Sequence, residues 1–107
     1  MSTLNGSQRK HLRGLAHALK PIVLIGIKGF TPELARSLDT ALTAHELIKV
    51  KFLDHKEEKK DIAERMAAAS GAEVAGIIGN IAILYRPHPD PEKRRITIPV
   101  KGTEERP

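Results

Sequence analysis

The residues of this chain best suited to chemistry are Gly26, Ile27, Lys28 and Gly29, a GxxG loop that follows an apolar run and leads into Thr31 and Pro32. Threonine followed by proline is a strong opening for a helix. A helix N-terminus leaves backbone N–H groups without helical partners and carries partial positive charge, and glycines let an anion come close to the backbone. Lys28 adds a mobile cation, so the loop is suited to phosphate. A second GxxG, Gly76 to Gly79, has neither a helix start nor a basic residue beside it. It is assigned to sheet and hairpin geometry. Further cations recur in order: Arg9, Arg13, His17 and Lys20 fall at steps of four, four and three, along one helical face.

Other chemistries lack their residues. The loop has neither the GxGxxG of a dinucleotide-binding crossover nor the GK[ST] ending of a nucleotide-binding loop. His45 and Glu46 begin like HExxH, but Lys49 stands where the second histidine belongs. His11, His17, His55 and His88 show no metal-ligand spacing and are read as surface or packing residues. No serine occupies a GxSxG elbow, no carboxylate pair stands out as acid and base, and zero cysteines exclude thiolate catalysis and disulfide scaffolds. The expectation is a protein that is not an enzyme, with no cofactor, no metal and no small-molecule substrate.

Composition points toward polyanions. The 107 residues carry a net charge of +5 and a pI near 9.7, and a positive surface raises the local concentration and capture rate of nucleic acid. Aromatics make up only 3%, namely Phe30, Phe52 and Tyr85, too few to stack successive bases. Phosphate contacts are left as the main source of affinity. No run reaches the roughly 18 apolar residues of a membrane span, and MSTLNGSQRKHLRG is polar rather than signal-like, so the chain reads as cytoplasmic.

The elements that must position these residues follow from periodicity. Asn5 and Gln8 have capping-box spacing, and Leu12, Leu15, Ala16 and Leu19 predict a helix over 7–19. Ile22 to Ile25 reads as a strand buried on both faces, and Leu34 to Leu42 as a helix reaching Ala44. In 46–53, Ile48, Val50 and Phe52 alternate with Lys49 and Lys51, a half-buried strand. Asp54 offers a cap for a helix over 56–70 ended by Gly71, with HKEEKKD as a solvated first turn. Val74 to Ile78 and Ile81 to Tyr85 flank Gly79 and Asn80, a pair suited to a tight antiparallel hairpin. HPDPEKRR reads as a mobile connector before an apolar alternation at Ile96, Ile98 and Val100. The order predicts a two-layer α/β domain over 1–100, with one parallel strand pair and one sheet face partly open beneath Lys49 and Lys51, and a disordered tail over 101–107.

Four blocks in order carry a resemblance: QRKHLRGLAHALKP at Gln8 to Pro21, IGxxGFTPE at Ile25 to Glu33, HELIKVK at His45 to Lys51, and LYRP at Leu84 to Pro87. The chain resembles the CRM family, the chloroplast RNA splicing and ribosome maturation domain, in its free-standing bacterial YhbY-like form. The resemblance implies an α-β-α-β-α-β-β domain with a mixed four-stranded sheet, similar to the C-terminal domain of translation initiation factor three. It implies RNA binding through the GxxG loop and nearby basic surface, with ribosomal RNA in large-subunit precursor particles as partner. Carried over by position, the loop is Gly26, Ile27, Lys28 and Gly29, and the basic candidates are Arg9, Arg13, Lys20, Lys49 and Lys51. One departure is visible: the family often places its basic residue directly after the first glycine, where this chain has Ile27. The rival reading from another class is a protein-interaction module on the ribosome or an assembly factor, using an exposed sheet face or edge while charge assists encounter.

Overall fold

The computed structural model describes residues 4–97. Helix α1 spans Gly6–Ala16 and opens on the capping box that the sequence predicts. The Asn5 side chain accepts from Gln8 N at 2.8 Å, and the Gln8 side chain accepts from Asn5 N at 3.1 Å. The helix closes three residues before Leu19, because Pro21 restricts the residue before it and the chain must turn toward the sheet. The Leu19 carbonyl then accepts from Lys49 Nζ at 2.9 Å.

Strand β1 is Val23–Ile25, followed by α2 at Pro32–His45 and β2 at Leu47–Phe52. A 3-10 turn at Lys56–Glu58 precedes α3 at Lys59–Ser70, and β3 at Glu73–Ile78 and β4 at Ile81–Tyr85 close the domain. The sheet order is β1-β2-β4-β3, with β1 parallel to β2 and the other pairs antiparallel. The α/β class, the mixed four-stranded sheet and the element order agree with expectation.

The largest core lies between the sheet and α2 and α3. Val23, Ile25, Ile48, Val50, Phe52 and Leu84 face Leu38, Leu42, Ile62 and Met66. Phe52 is fully buried, and burying one such ring stabilises the fold by about 1.5–3 kcal/mol. A second cluster joins Leu12 and Ala16 of α1 to Leu47, Ala75, Ile83 and Tyr85 on the opposite face. Helix α1 thus adds a partial third layer, which leaves part of that face uncovered, with Leu24 and Ile78 exposed.

Several local expectations change. Strand β1 is at the sheet edge and buries one face only: Val23 and Ile25 are inside, while Leu24 is 51% exposed. Asp54 does not cap α3. Its carboxylate accepts from His55 N at 2.9 Å, and His55 takes a left-handed conformation. In the HKEEKKD stretch Lys59 is not simply solvated, since its Nζ donates to Gly79 O at 2.6 Å and holds the hairpin turn. That turn takes positive φ at Gly79 and not at Asn80.

The segment after Pro87 is docked rather than mobile through residue 97. Glu46, 2% exposed at the α2–β2 junction, accepts from His88 N at 2.8 Å, Arg95 N at 2.6 Å and Ile96 N at 3.2 Å. Burial pushes its carboxyl up, but the three backbone N–H bonds and His88 outweigh this and hold it below the usual value. Ile96 packs against the α1 cluster. Ile98, Val100 and the tail over 101–107 lie outside the described residues.

Candidate nucleic-acid interface

The Gly26–Gly29 segment is a tight turn closed by Gly29 N donating to Gly26 O at 3.0 Å. Gly29 sits at φ 71°, a conformation that side chains resist. The turn puts Ile27 and Lys28 at its tip, both exposed, with Ile27 at 79%. Thr31 caps α2 as the sequence predicts, its hydroxyl accepting from Leu34 N at 3.1 Å.

The helix terminus itself offers an anion less than the sequence implies. Pro32 has no N–H, the Leu34 N–H is taken by the Thr31 hydroxyl, and the Ala35 N–H by the Thr31 carbonyl. Glu33 also places a carboxylate in the first turn. The positive character of this end therefore rests on Lys28 and the turn more than on the α2 amides.

Strand register shows which other cations share a face. Gly76 of β3, Ile83 of β4 and Lys49 of β2 form one row beneath α1. Ile78, Ile81, Lys51 and Leu24 form the next row, toward the turn. Arg13 lies over the first row, with Nη1 donating to Ala75 O at 3.1 Å. A Cβ on Gly76 would meet Arg13 Cδ at 2.5 Å, so this glycine makes room for the arginine stem. Arg13, Lys49 and Lys51 thus share the α1 side of the sheet, and Lys51 stands in the row nearest the turn.

The remaining basic candidates stand apart. Arg9 donates to Leu4 O across the start of α1. Lys20 lines an open groove of about 670 Å³ with His11, Leu15, Leu19, Ile22 and Arg95. That groove sits at the Ile22 end of β1, and at about 3.3 Å per strand residue it is roughly 13 Å from Gly26.

His55, read from sequence as a surface or packing residue, stands directly behind the turn. Leu53 N and Asp54 N both donate to Ile25 O, at 2.9 and 3.2 Å, and bring the β2–α3 loop alongside. His55 Nε2 lies 2.7 Å from Ile27 O. This hydrogen bond raises the His55 pKa, opposed by desolvation and supported by Glu58 and Asp54. No spacing rule finds this residue, because it meets the turn across 28 positions of sequence. Among the described residues no group of three or more His, Asp or Glu side chains is arranged to hold a metal ion. No helix among them is long and apolar enough to cross a membrane.

The chain is 38% identical over 102 residues to the "RNA-binding protein" of Haemophilus influenzae, covering 94% of this chain and all of the relative. It is 36% identical over 97 residues to the "Probable RNA-binding protein YqeI" of Bacillus subtilis, covering 90% of this chain and 99% of the relative. The solution structure of the hypothetical protein SAV1595 from Staphylococcus aureus superposes with a TM-score of 0.78 at 34% identity, over 91% of this chain and all of that one. The family model of the CRS1/YhbY (CRM) domain matches residues 4–86, which takes in α1, the GxxG turn, all four strands and α3, and the chain belongs to that family.

Proposed function

We propose that this chain is an RNA-binding protein that associates with ribosomal RNA in large-subunit precursor particles and acts there, in the cytoplasm, as an assembly factor without catalysis or cofactor. The observation that carries the RNA reading is the Gly26–Gly29 turn, which presents Lys28 at an exposed tip beside the Lys51 row. The names of the relatives support it, one being called an RNA-binding protein and the other a probable RNA-binding protein. Phosphate contacts from Lys28, Lys51, Lys49 and Arg13 supply the affinity, and RNA shape supplies the selectivity. Lys20 and Arg9 would engage a longer RNA that continues past α1. The ribosomal target rests on the family resemblance.

Crosslinking in cells, followed by sequencing of the attached RNA, tests binding and target together. Recovery of large-subunit precursor RNA is expected, and sucrose gradients should place the protein with precursor particles rather than polysomes. Equal occupancy of polysomes would remove the assembly role. One observation favours the rival protein-interaction module: Leu24 and Ile78 are exposed apolar residues in the same sheet row. Binding of the purified protein to protein-free RNA separates the two readings.

A further inference from the structure

The geometry points to His55 as a positioning residue for the Gly26–Gly29 turn: its ring, rather than any contact with RNA, fixes the backbone that presents Lys28. The inference rests on the reading of that turn as the RNA site. It begins with the backbone. Two amides donate to Ile25 O and dock the β2–α3 loop against the turn, and His55 then adopts φ 56° and ψ 36°. Left-handed backbone is uncommon outside glycine, although histidine enters it more readily than most residues. Here the Asp54 carboxylate secures it by accepting from His55 N at 2.9 Å.

The ring is held on both sides. Nε2 is 2.7 Å from Ile27 O, and Nδ1 is 3.4 Å from Glu58 Oε1. A Cβ on Gly29 would lie 3.5 Å from Nε2 and 3.7 Å from Cδ2, so the ring packs directly against that glycine. The clamp therefore reaches both the tip of the turn, through Ile27, and its closing residue.

In the imidazolium both ring nitrogens donate, one to the Ile27 carbonyl and one to the Glu58 carboxylate. Loss of either proton turns a lone pair toward an oxygen and loosens one side. The charged groups acting on the ring are Asp54 and Glu58, both from its own segment, while Lys28 is the sequence neighbour of the bonded Ile27. The Ile27 carbonyl raises the His55 pKa above its ordinary 6.5. The clamp is thus complete below 6.5 and weakens as pH rises through the folded-state value.

The test uses the whole chain. In the protein without RNA, the NMR amide signals of Ile27, Lys28 and Gly29 should move with the same midpoint as the His55 ring, above 6.5. In His55→Phe, which keeps a ring but removes the donor, that transition should vanish. Binding of a single-stranded oligouridine probe should weaken about threefold to tenfold in His55→Phe, the loss of one net hydrogen bond. The step in affinity at the His55 midpoint should disappear with it. His55→Asn keeps the left-handed preference but its amide is too short to reach Ile27, and it should bind as weakly as the Phe variant. Turn amides that ignore the His55 midpoint overturn the inference, and so does wild-type affinity in His55→Asn, which would assign the role to backbone alone. Lys28→Ala separates the underlying reading. If it binds as wild type while the turn amides still follow His55, the clamp stands and the RNA assignment of the turn falls.

Discussion

Glu46→Gln should release the segment after Pro87 and remove an acid-sensitive part of the stability. Three backbone N–H groups converge on the two carboxylate oxygens of a side chain that is almost wholly buried. Hydrogen bonds to a charged group contribute roughly 1.5–3 kcal/mol each, against about 1 kcal/mol for neutral ones. The glutamine oxygen can keep the Arg95 and Ile96 donors as neutral bonds, but its amide nitrogen then faces the His88 N–H, donor against donor. Downgrading two bonds by about 1 kcal/mol each and orphaning one donor at about 1–3 kcal/mol sums to roughly 3–5 kcal/mol. Undocking caps this loss, because water satisfies the freed amides once the segment lifts away. Chemical denaturation should therefore show a loss of about 2–3 kcal/mol, and hydrogen exchange should lose protection first at His88, Arg95 and Ile96. The folded Glu46 carboxyl titrates below its ordinary 4.5, so its stabilisation is complete above 4.5 and disappears as pH falls through the folded-state value. The difference between wild type and variant should be constant near neutrality and shrink in acid. Wild-type protection at the three amides, or a difference undiminished well below 4.5, would refute this account.

Other changes should act on the proposed RNA site and on the frame separately. If about four single-strand phosphates are neutralised, the log–log salt slope of RNA binding should be near −3, and Lys28→Ala should reduce it by about 0.7. Lys60→Ala, an exposed α3 lysine, is the control; equal weakening in both variants would assign affinity to diffuse charge. Gly26→Ala should fold normally, since a Cβ there meets nothing within 4 Å, yet weaken RNA binding if phosphate approaches the backbone; unchanged affinity would contradict that approach. Gly76→Ala should displace the Arg13 stem and lower stability by about 1–3 kcal/mol, read from denaturant midpoints. Arg86→Ala should lower stability by about 1–3 kcal/mol, because the guanidinium donates to Asp39, Thr43 and the Ser70 carbonyl and ties α2 to the end of α3.

Legibility in the sequence followed the range of the interactions. Caps act within one turn, so Asn5 with Gln8 and Thr31 with Pro32 placed the starts of α1 and α2. The alternation of Ile48, Val50 and Phe52 placed β2 and its buried face. What failed depends on partners distant in sequence. An apolar triplet at Val23–Ile25 has no period long enough to tell an edge strand from a central one, and order in the sheet left Leu24 outside. Glu46 looked like half of a metal motif, although its role is to dock amides more than 40 positions away. Its signal was a lone acid at the junction of a helix and an apolar strand. Arg86, quoted within the LYRP block, proved a structural tie for the same reason.

The two GxxG segments show why four letters do not define a site. At Gly76 the missing Cβ is already used: the Arg13 stem occupies the space, and the strand continues beneath α1 to a hairpin turn held by Lys59. At Gly26 nothing beyond its own chain neighbours comes within 4 Å of the missing Cβ, and φ there lies outside the left-handed region. Neither packing nor backbone geometry inside the domain therefore calls for glycine at position 26. On the proposed RNA reading, close approach by a phosphate would call for it, with the adjacent exposed Lys28 supplying the positive charge. Gly29 serves the frame instead, closing the turn at positive φ against the His55 ring. One glycine keeps the surface open and the other fixes its shape, so the substitutions at 26 and 28 should spare folding while those at 29 and 76 should not.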